Sequence, residues 1–150
     1  MKKVIVNKSI LFYFVCLVLI ILSGCVSTEV NKSKAEIKEL NFDDLKVLLE
    51  TNNLNNDLLQ ISLENCTTCE EVKEVESENI NNYDLIIYNY TLNRKDKNYQ
   101  VQLDYIYSYF PDFKYAPSLF VKNSNGGYSM LSFENNDNIN ESIIKFIESY

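Results

Sequence analysis

The sequence predicts one α/β domain in which strands and helices alternate in the order β-α-β-α-β-α-β-β-α. Two observations carry this prediction. Short apolar runs of strand length recur along the chain, separated by segments whose apolar residues repeat at helical spacing. A turn containing two glycines joins the last two strand-like runs directly, as in a hairpin. The length of 150 residues, of which 46% are hydrophobic, suits one globular domain behind a targeting segment.

Five segments have the composition of strands, and their apolar residues either alternate or form a short buried run. The third is the clearest, and the fourth carries Pro117 at its first position, where no ladder hydrogen bond is lost. Residues 123–127 contain asparagines and glycines that accept a positive φ, which predicts a tight turn before the fifth strand. In chain order the strand segments are 35–40, 58–63, 84–91, 117–122 and 128–133.

Four segments are expected to be helical. Asn41 is a good N-cap for the first of them, because two aspartates follow it in the first turn and the helix should end at Asn52 and Asn53. The third segment, 98–110, fits a strand alternation as well as a helix face, and its length and its position between two strands favour a helix. The second and fourth segments are 70–75 and 138–150, the latter with four apolar residues on one face: Ile139, Ile143, Phe146 and Ile147.

The first 25 residues have the pattern of a targeting segment. Three lysines precede a charge-free apolar run, Ile10 to Leu22, which suits a signal-peptide core and is too short to span a membrane. The run ends in Leu22-Ser23-Gly24-Cys25, which resembles a bacterial lipobox and implies cleavage before Cys25 and a lipid on its sulfur. We therefore expect a signal peptide over 1–24, a flexible tether over 25–34, and a domain over 35–150 at the extracytoplasmic face of a bacterial membrane. An uncleaved membrane anchor is the alternative.

Charge and composition exclude several classes of function. Of the 14 basic residues three lie in the leader, which leaves 11 against 21 acidic residues in the mature chain. Such an acidic chain is not expected to bind nucleic acid, and it would be repelled by anionic lipid, so that a lipid anchor must hold it at the membrane. The chain has no histidine, which removes the usual catalytic base and the commonest metal ligand.

Two cysteines remain once Cys16 is removed with the leader and Cys25 carries lipid. A structural zinc site needs four ligands, so we expect no metal, and nothing in the sequence implies an organic cofactor. The remaining pair forms the motif Cys66-Thr67-Thr68-Cys69, at the junction between the second strand and the following helix. A purely structural disulfide at this spacing would close a very short loop and stabilise little, and it stays an alternative.

The CxxC motif at a strand-to-helix junction, the later segment Tyr115-Ala116-Pro117-Ser118 and the glycine turn together resemble the thioredoxin superfamily over 35–150. The layout is also similar to thioredoxin-like accessory proteins linked to bacteriocin export. The resemblance implies a central mixed sheet flanked by helices. It also implies that Ala116 and Pro117 form a cis-proline loop against the cysteines, where the Ala116 backbone pairs with an extended substrate. Gln60 stands where thioredoxin has a buried aspartate, so that protein's proton relay is not carried over.

The cysteine pair predicts a protein thiol–disulfide oxidoreductase. Cys66 would lie at a helix N-terminus, where free amides favour the thiolate that attacks a disulfide, while nearby glutamates oppose ionisation. Cys66 is then the attacking thiol and Cys69 the resolving one. The expected partners of this monomer are secreted or cell-envelope proteins, bound through transient mixed disulfides, and a membrane or extracellular thiol donor or acceptor. The alternative is an accessory or peptide-binding subunit of a peptide exporter without redox turnover.

Overall fold

The structure is a computed structural model, and it describes residues 35–133 and 138–150. The predicted signal peptide over 1–24, the tether over 25–34 and the lipidation site Cys25 lie outside the described residues and stay predictions. In the ranges that the structure describes, no helix combines the length and the apolar character needed to cross a membrane.

The strands and helices follow one another in the predicted order. The second helix is longer than predicted, because it begins directly after Cys66 and continues to Asn79, where a short 3-10 turn over Ile80–Asn82 follows it. The other bounds lie within about two residues of the predicted ones. The elements are β1 (Glu36–Leu40), α1 (Phe42–Glu50), β2 (Leu58–Leu63), α2 (Thr67–Asn79), β3 (Ile86–Leu92), α3 (Tyr99–Tyr109), β4 (Ser118–Lys122), β5 (Tyr128–Ser132) and α4 (Ile139–Glu148).

The strands form a mixed sheet in the order β1-β3-β2-β4-β5, with β2 at its centre. Strand β3 runs parallel to both β1 and β2, whereas β4 runs antiparallel to β2 and to β5. Leu58 pairs with Ile87 on one side and with Val121 on the other, so β2 has a hydrogen-bonded neighbour at both edges. The turn that carries Cys66 therefore begins at the end of a strand that is paired on both sides.

Two hydrophobic clusters cover the opposite faces of this sheet, because successive side chains of a strand point to opposite sides. Helices α1 and α3 pack on one face together with Leu59 and Ile61 of β2. Helices α2 and α4 pack on the other face together with Leu58. The four apolar residues predicted for one face of the last helix all belong to this second cluster: Ile139, Ile143, Phe146 and Ile147.

Two local predictions are confirmed in atomic detail. The side chain of Asn41 accepts a hydrogen bond from the Asp44 amide at 2.9 Å, and the Asp44 carboxylate accepts one from the Asn41 amide, which completes a capping box at the start of α1. The ambiguous segment 98–110 is helical over Tyr99–Tyr109. Its Ile106 is fully buried, and Phe110, which follows the helix, stacks on Phe120 with 4.0 Å between ring centroids.

Candidate functional site

The turn between β2 and α2 places Cys66 at the N-terminus of the helix. Asn65 adopts a positive φ of 58°, which asparagine tolerates better than most residues, and this turns the chain out of the strand. Cys66 is the N-cap of α2, and its Sγ accepts a hydrogen bond from the Cys69 amide at 3.1 Å. The predicted position of this sulfur at an amide-rich helix end is confirmed.

Cys66 and Cys69 form a disulfide, with their Cα atoms 5.2 Å apart. The two sulfurs differ in accessibility: Cys66 is partly exposed, whereas Cys69 is buried with 4% of its surface exposed. An external thiolate can therefore approach Cys66 more readily than Cys69. This asymmetry is the one that the predicted attacking and resolving roles require.

The loop before β4 lies against the disulfide. The Ala116–Pro117 peptide bond is cis, as the resemblance implied, and the Ala116 carbonyl oxygen lies 3.9 Å from Cys66 Sγ. Pro117 is buried, and Tyr115, just before this pair, is 46% exposed. The structure thus brings together Cys66, Cys69, Ala116 and Pro117, which the sequence placed 50 residues apart in two motifs.

A pocket of about 590 Å³ opens beside the disulfide. Ser62, Asn89 and Lys73 line it together with both cysteines. Lys73 donates a hydrogen bond to Glu39 at 2.6 Å, and this contact raises the pKa of the Lys73 ammonium. The pocket wall therefore carries a cation next to the acidic residues that flank the CxxC motif.

Behind the pocket, a chain of hydrogen bonds runs across the sheet. The Gln60 amide lies 2.9 Å from the Ser62 hydroxyl, which in turn lies 2.8 Å from the Asn89 side-chain oxygen. The Asn89 amide donates to Glu39 at 2.7 Å. Buried polar side chains are costly unless they are paired, and these residues satisfy one another.

Glu76 of α2 belongs to this buried polar region, and sequence analysis missed it. Its side chain is 1% exposed, and burial, opposed by Lys73 and reinforced by Glu39, raises the pKa of its carboxyl group to about 8. A signal was present in the sequence: Glu76 follows Cys69 and Val72 at helical spacing, so it lies on the inward face of the helix.

Within the part of the chain that the structure describes, no group of three or more histidine, cysteine, aspartate or glutamate side chains is placed to hold a metal ion. No protein-family model matches the sequence. No curated protein matches it either. Function must therefore be argued from the fold and the site.

Two solved structures of thioredoxin F from spinach chloroplast are similar to this chain. The long form superimposes with a TM-score of 0.54 at 13% identity, covering 82% of this chain and 93% of that one. The short form gives a TM-score of 0.53 at 12% identity, covering 78% of this chain and 95% of that one. At these identities the likeness shows the fold. The chain has a thioredoxin-like fold, and a cysteine pair lies where its central strand meets the following helix.

Proposed function

We propose that this protein is a thiol–disulfide oxidoreductase, anchored through lipid on Cys25 to the extracytoplasmic face of a bacterial membrane. The observation that carries the redox function is the Cys66–Cys69 disulfide at the N-terminus of α2, with one accessible and one buried sulfur. The lipobox-like sequence supports the anchor. The substrates would be secreted or cell-envelope proteins, and no organic cofactor is needed.

The exchange runs in two steps. In the reducing direction, the Cys66 thiolate attacks one sulfur of a substrate disulfide, and the other substrate sulfur leaves with the electron pair and takes a proton from water. The Cys69 thiol then loses its proton and attacks Cys66 Sγ, which breaks the mixed disulfide and releases the second substrate thiolate. The substrate is reduced to two thiols, and the cysteine pair is oxidised to a disulfide. An external thiol donor restores the pair, and the reverse sequence oxidises a substrate.

The contacts around Cys66 favour the first step. Its sulfur accepts the Cys69 amide at 3.1 Å, and a hydrogen bond to the charged form of a thiol lowers its pKa. The helix dipole acts in the same direction. The Ala116 carbonyl, 3.9 Å from the same sulfur, gives an extended substrate chain a backbone partner beside the attacked bond.

Trapping tests the two cysteine roles. We expect Cys69→Ala to accumulate mixed disulfides through Cys66, because no thiol remains to expel the bound substrate. Cys66→Ser should trap little and should abolish disulfide exchange, and the double variant is the background control. Non-reducing gels with mass spectrometry identify the attached partners. Equal trapping by both single variants would refute the roles, and full complementation of a deletion strain by Cys66→Ser would favour a binding module.

Intact-mass analysis tests the anchor. The native protein should begin at Cys25, carry added acyl mass and partition with membranes. Cys25→Ala should leave an unlipidated precursor, whereas Cys16→Ala, in the predicted signal peptide, should be processed normally. A native protein without acyl mass would refute the anchor and leave the redox proposal standing.

A further inference from the structure

The two exchange steps above make no use of Glu76, yet its carboxyl group is the most deeply buried acid of the residues that the structure describes. It lies on the face of α2 that packs on the sheet, seven residues after Cys69. The charged groups that act on it are Lys73 on the same helix and Glu39 on β1. The group in direct contact with it is the Gln60 amide of β2.

The Gln60 amide can satisfy this site in two ways that share the same atomic positions. When Glu76 is neutral, its hydroxyl donates across 2.5 Å to the amide oxygen of Gln60. The Gln60 Nε2 then donates to Ser62 Oγ at 2.9 Å, and the Ser62 hydroxyl donates to Asn89 at 2.8 Å. Every polar group in this chain is paired.

Ionisation of Glu76 reverses the direction of these hydrogen bonds. A carboxylate cannot donate, so the Gln60 amide turns by 180° and places Nε2 at 2.5 and 2.7 Å from the two carboxylate oxygens. The Gln60 oxygen then accepts from Ser62 Oγ at 2.9 Å. Ser62 has a single hydroxyl hydrogen, so its bond to Asn89 is lost. The charge on Glu76 therefore sets the direction in which the Ser62 hydroxyl points.

Ser62 connects this chain to the redox site, because Ser62, Asn89, Cys66 and Cys69 line the same pocket. We propose that Glu76, Gln60 and Ser62 form a protonation switch beneath the cysteine pair, in which a neutral Glu76 lets the buried Cys69 thiol ionise and a charged Glu76 opposes that ionisation. The proposal rests on the oxidoreductase function. In the resolving step the proton leaves Cys69 Sγ and passes to solvent in the pocket, while Glu76 stays neutral and adds no opposing charge. Glu76 acts through these neighbours and is a positioning residue.

The sign and the size of the coupling between Glu76 and Cys69 follow from their electrostatic interaction. A Cys69 thiolate and a Glu76 carboxylate are like charges on one buried helix face, so each disfavours the other. Seven residues correspond to roughly 10 Å along the helix axis. At an effective dielectric constant of about 20, this separation shifts the pKa of either group by about one unit.

The test measures the pKa of the Cys69 thiol in the full chain with Cys66→Ser, from the pH dependence of its alkylation rate. We expect Glu76→Gln to lower this pKa by about one unit, because a neutral amide removes the like charge. Glu74→Gln, which neutralises an exposed acid on the same helix, should leave the pKa unchanged. A Cys69 pKa that is identical in the Glu76→Gln and parent chains would overturn the switch.

A second measurement needs no change at Glu76. The carboxyl ¹³C signal of Glu76 should titrate well above those of exposed acids, and Gln60→Met should raise its pKa further, because the carboxylate loses the amide donors. A Glu76 that titrates with the exposed acids, or that ignores Gln60→Met, would overturn the proposal. If the wild-type chain exchanges disulfides normally but Glu76 and Cys69 titrate independently, only the switch is refuted. If the titrations of Glu76 and Cys69 are coupled but the protein exchanges no disulfides, the oxidoreductase function is refuted instead.

Discussion

Replacement of Glu76 by glutamine should make the folded protein more stable at neutral pH. The side chain is 1% exposed, and burial raises the pKa of its carboxyl group from 4.5 to about 8. Between these values the unfolded chain has released the proton while the folded chain still holds it. The unfolded state thus binds fewer protons, and the free energy of unfolding falls as the pH rises. The stability is complete below the unfolded pKa and is lost progressively up to the folded pKa.

The size of the effect follows from the width of this window. Each pH unit within it costs about 1.4 kcal/mol, so the loss from this one group is roughly 3 kcal/mol at pH 7 and roughly 4 kcal/mol at pH 8, where the folded carboxyl is half-ionised. Small domains have a total stability of about 5–15 kcal/mol, so the loss is a large part of the whole. Glutamine has nearly the same shape and does not ionise, so this slope should be absent from the variant.

Urea unfolding of the disulfide-intact full chain, repeated between pH 4 and pH 8.5, measures the difference. The two proteins should have similar stability at the acidic end, and Glu76→Gln should become the more stable one as the pH rises. Glu74→Gln removes an exposed acid from the same helix and should follow the wild type. Parallel stability curves for wild type and Glu76→Gln across the range would refute the reasoning.

Four further substitutions have defined outcomes in the same unfolding assay. Asn41→Ala should cost about 1 kcal/mol, because it removes the side-chain half of the capping box, and an unchanged midpoint would contradict the role of the cap. Leu45→Ala, at a fully buried position of α1, should cost about 2–5 kcal/mol, whereas Val47→Ala on the exposed side of that helix should stay within about 0.5 kcal/mol. Lys73→Met should cost less than about 1 kcal/mol, because its ion pair with Glu39 is solvent-exposed; a larger loss would mean that the pair does more than a surface contact.

Local sequence patterns were sufficient to predict the order of the elements. Alternating or continuous apolar runs defined the strands, and the cap at Asn41 and the apolar face of α4 defined two helices. Residues 98–110 were ambiguous, because tyrosine and leucine at alternate positions suit both a strand and a helix. Tertiary packing decides this segment: Ile106 is fully buried only as part of a helix face that lies on the sheet.

The candidate site was predicted in part, for a similar reason. The cysteines and Ala116–Pro117 are visible as motifs, and the resemblance to the thioredoxin superfamily implied that they lie in one neighbourhood. Glu76 lies in a helix that also contains Glu70, Glu71, Glu74 and Glu78. A helix with so many glutamates is expected to be exposed to solvent, so Glu76 does not stand out among them. Only the packing of α2 against Gln60 distinguishes Glu76 from the other glutamates of the helix. That packing depends on the angle at which the helix crosses the sheet.

The alternation of side chains along β2 has a consequence for how this protein can evolve. Leu59 and Ile61 belong to the aromatic-rich cluster on one face, whereas Gln60 and Ser62 form the hydrogen-bonded chain on the other. Substitutions in α1 and α3 can therefore compensate one another without altering this hydrogen-bonded chain. Conversely, substitutions at Gln60 and Ser62 of β2 can change the surroundings of the redox site while the cluster on the other face stays unchanged.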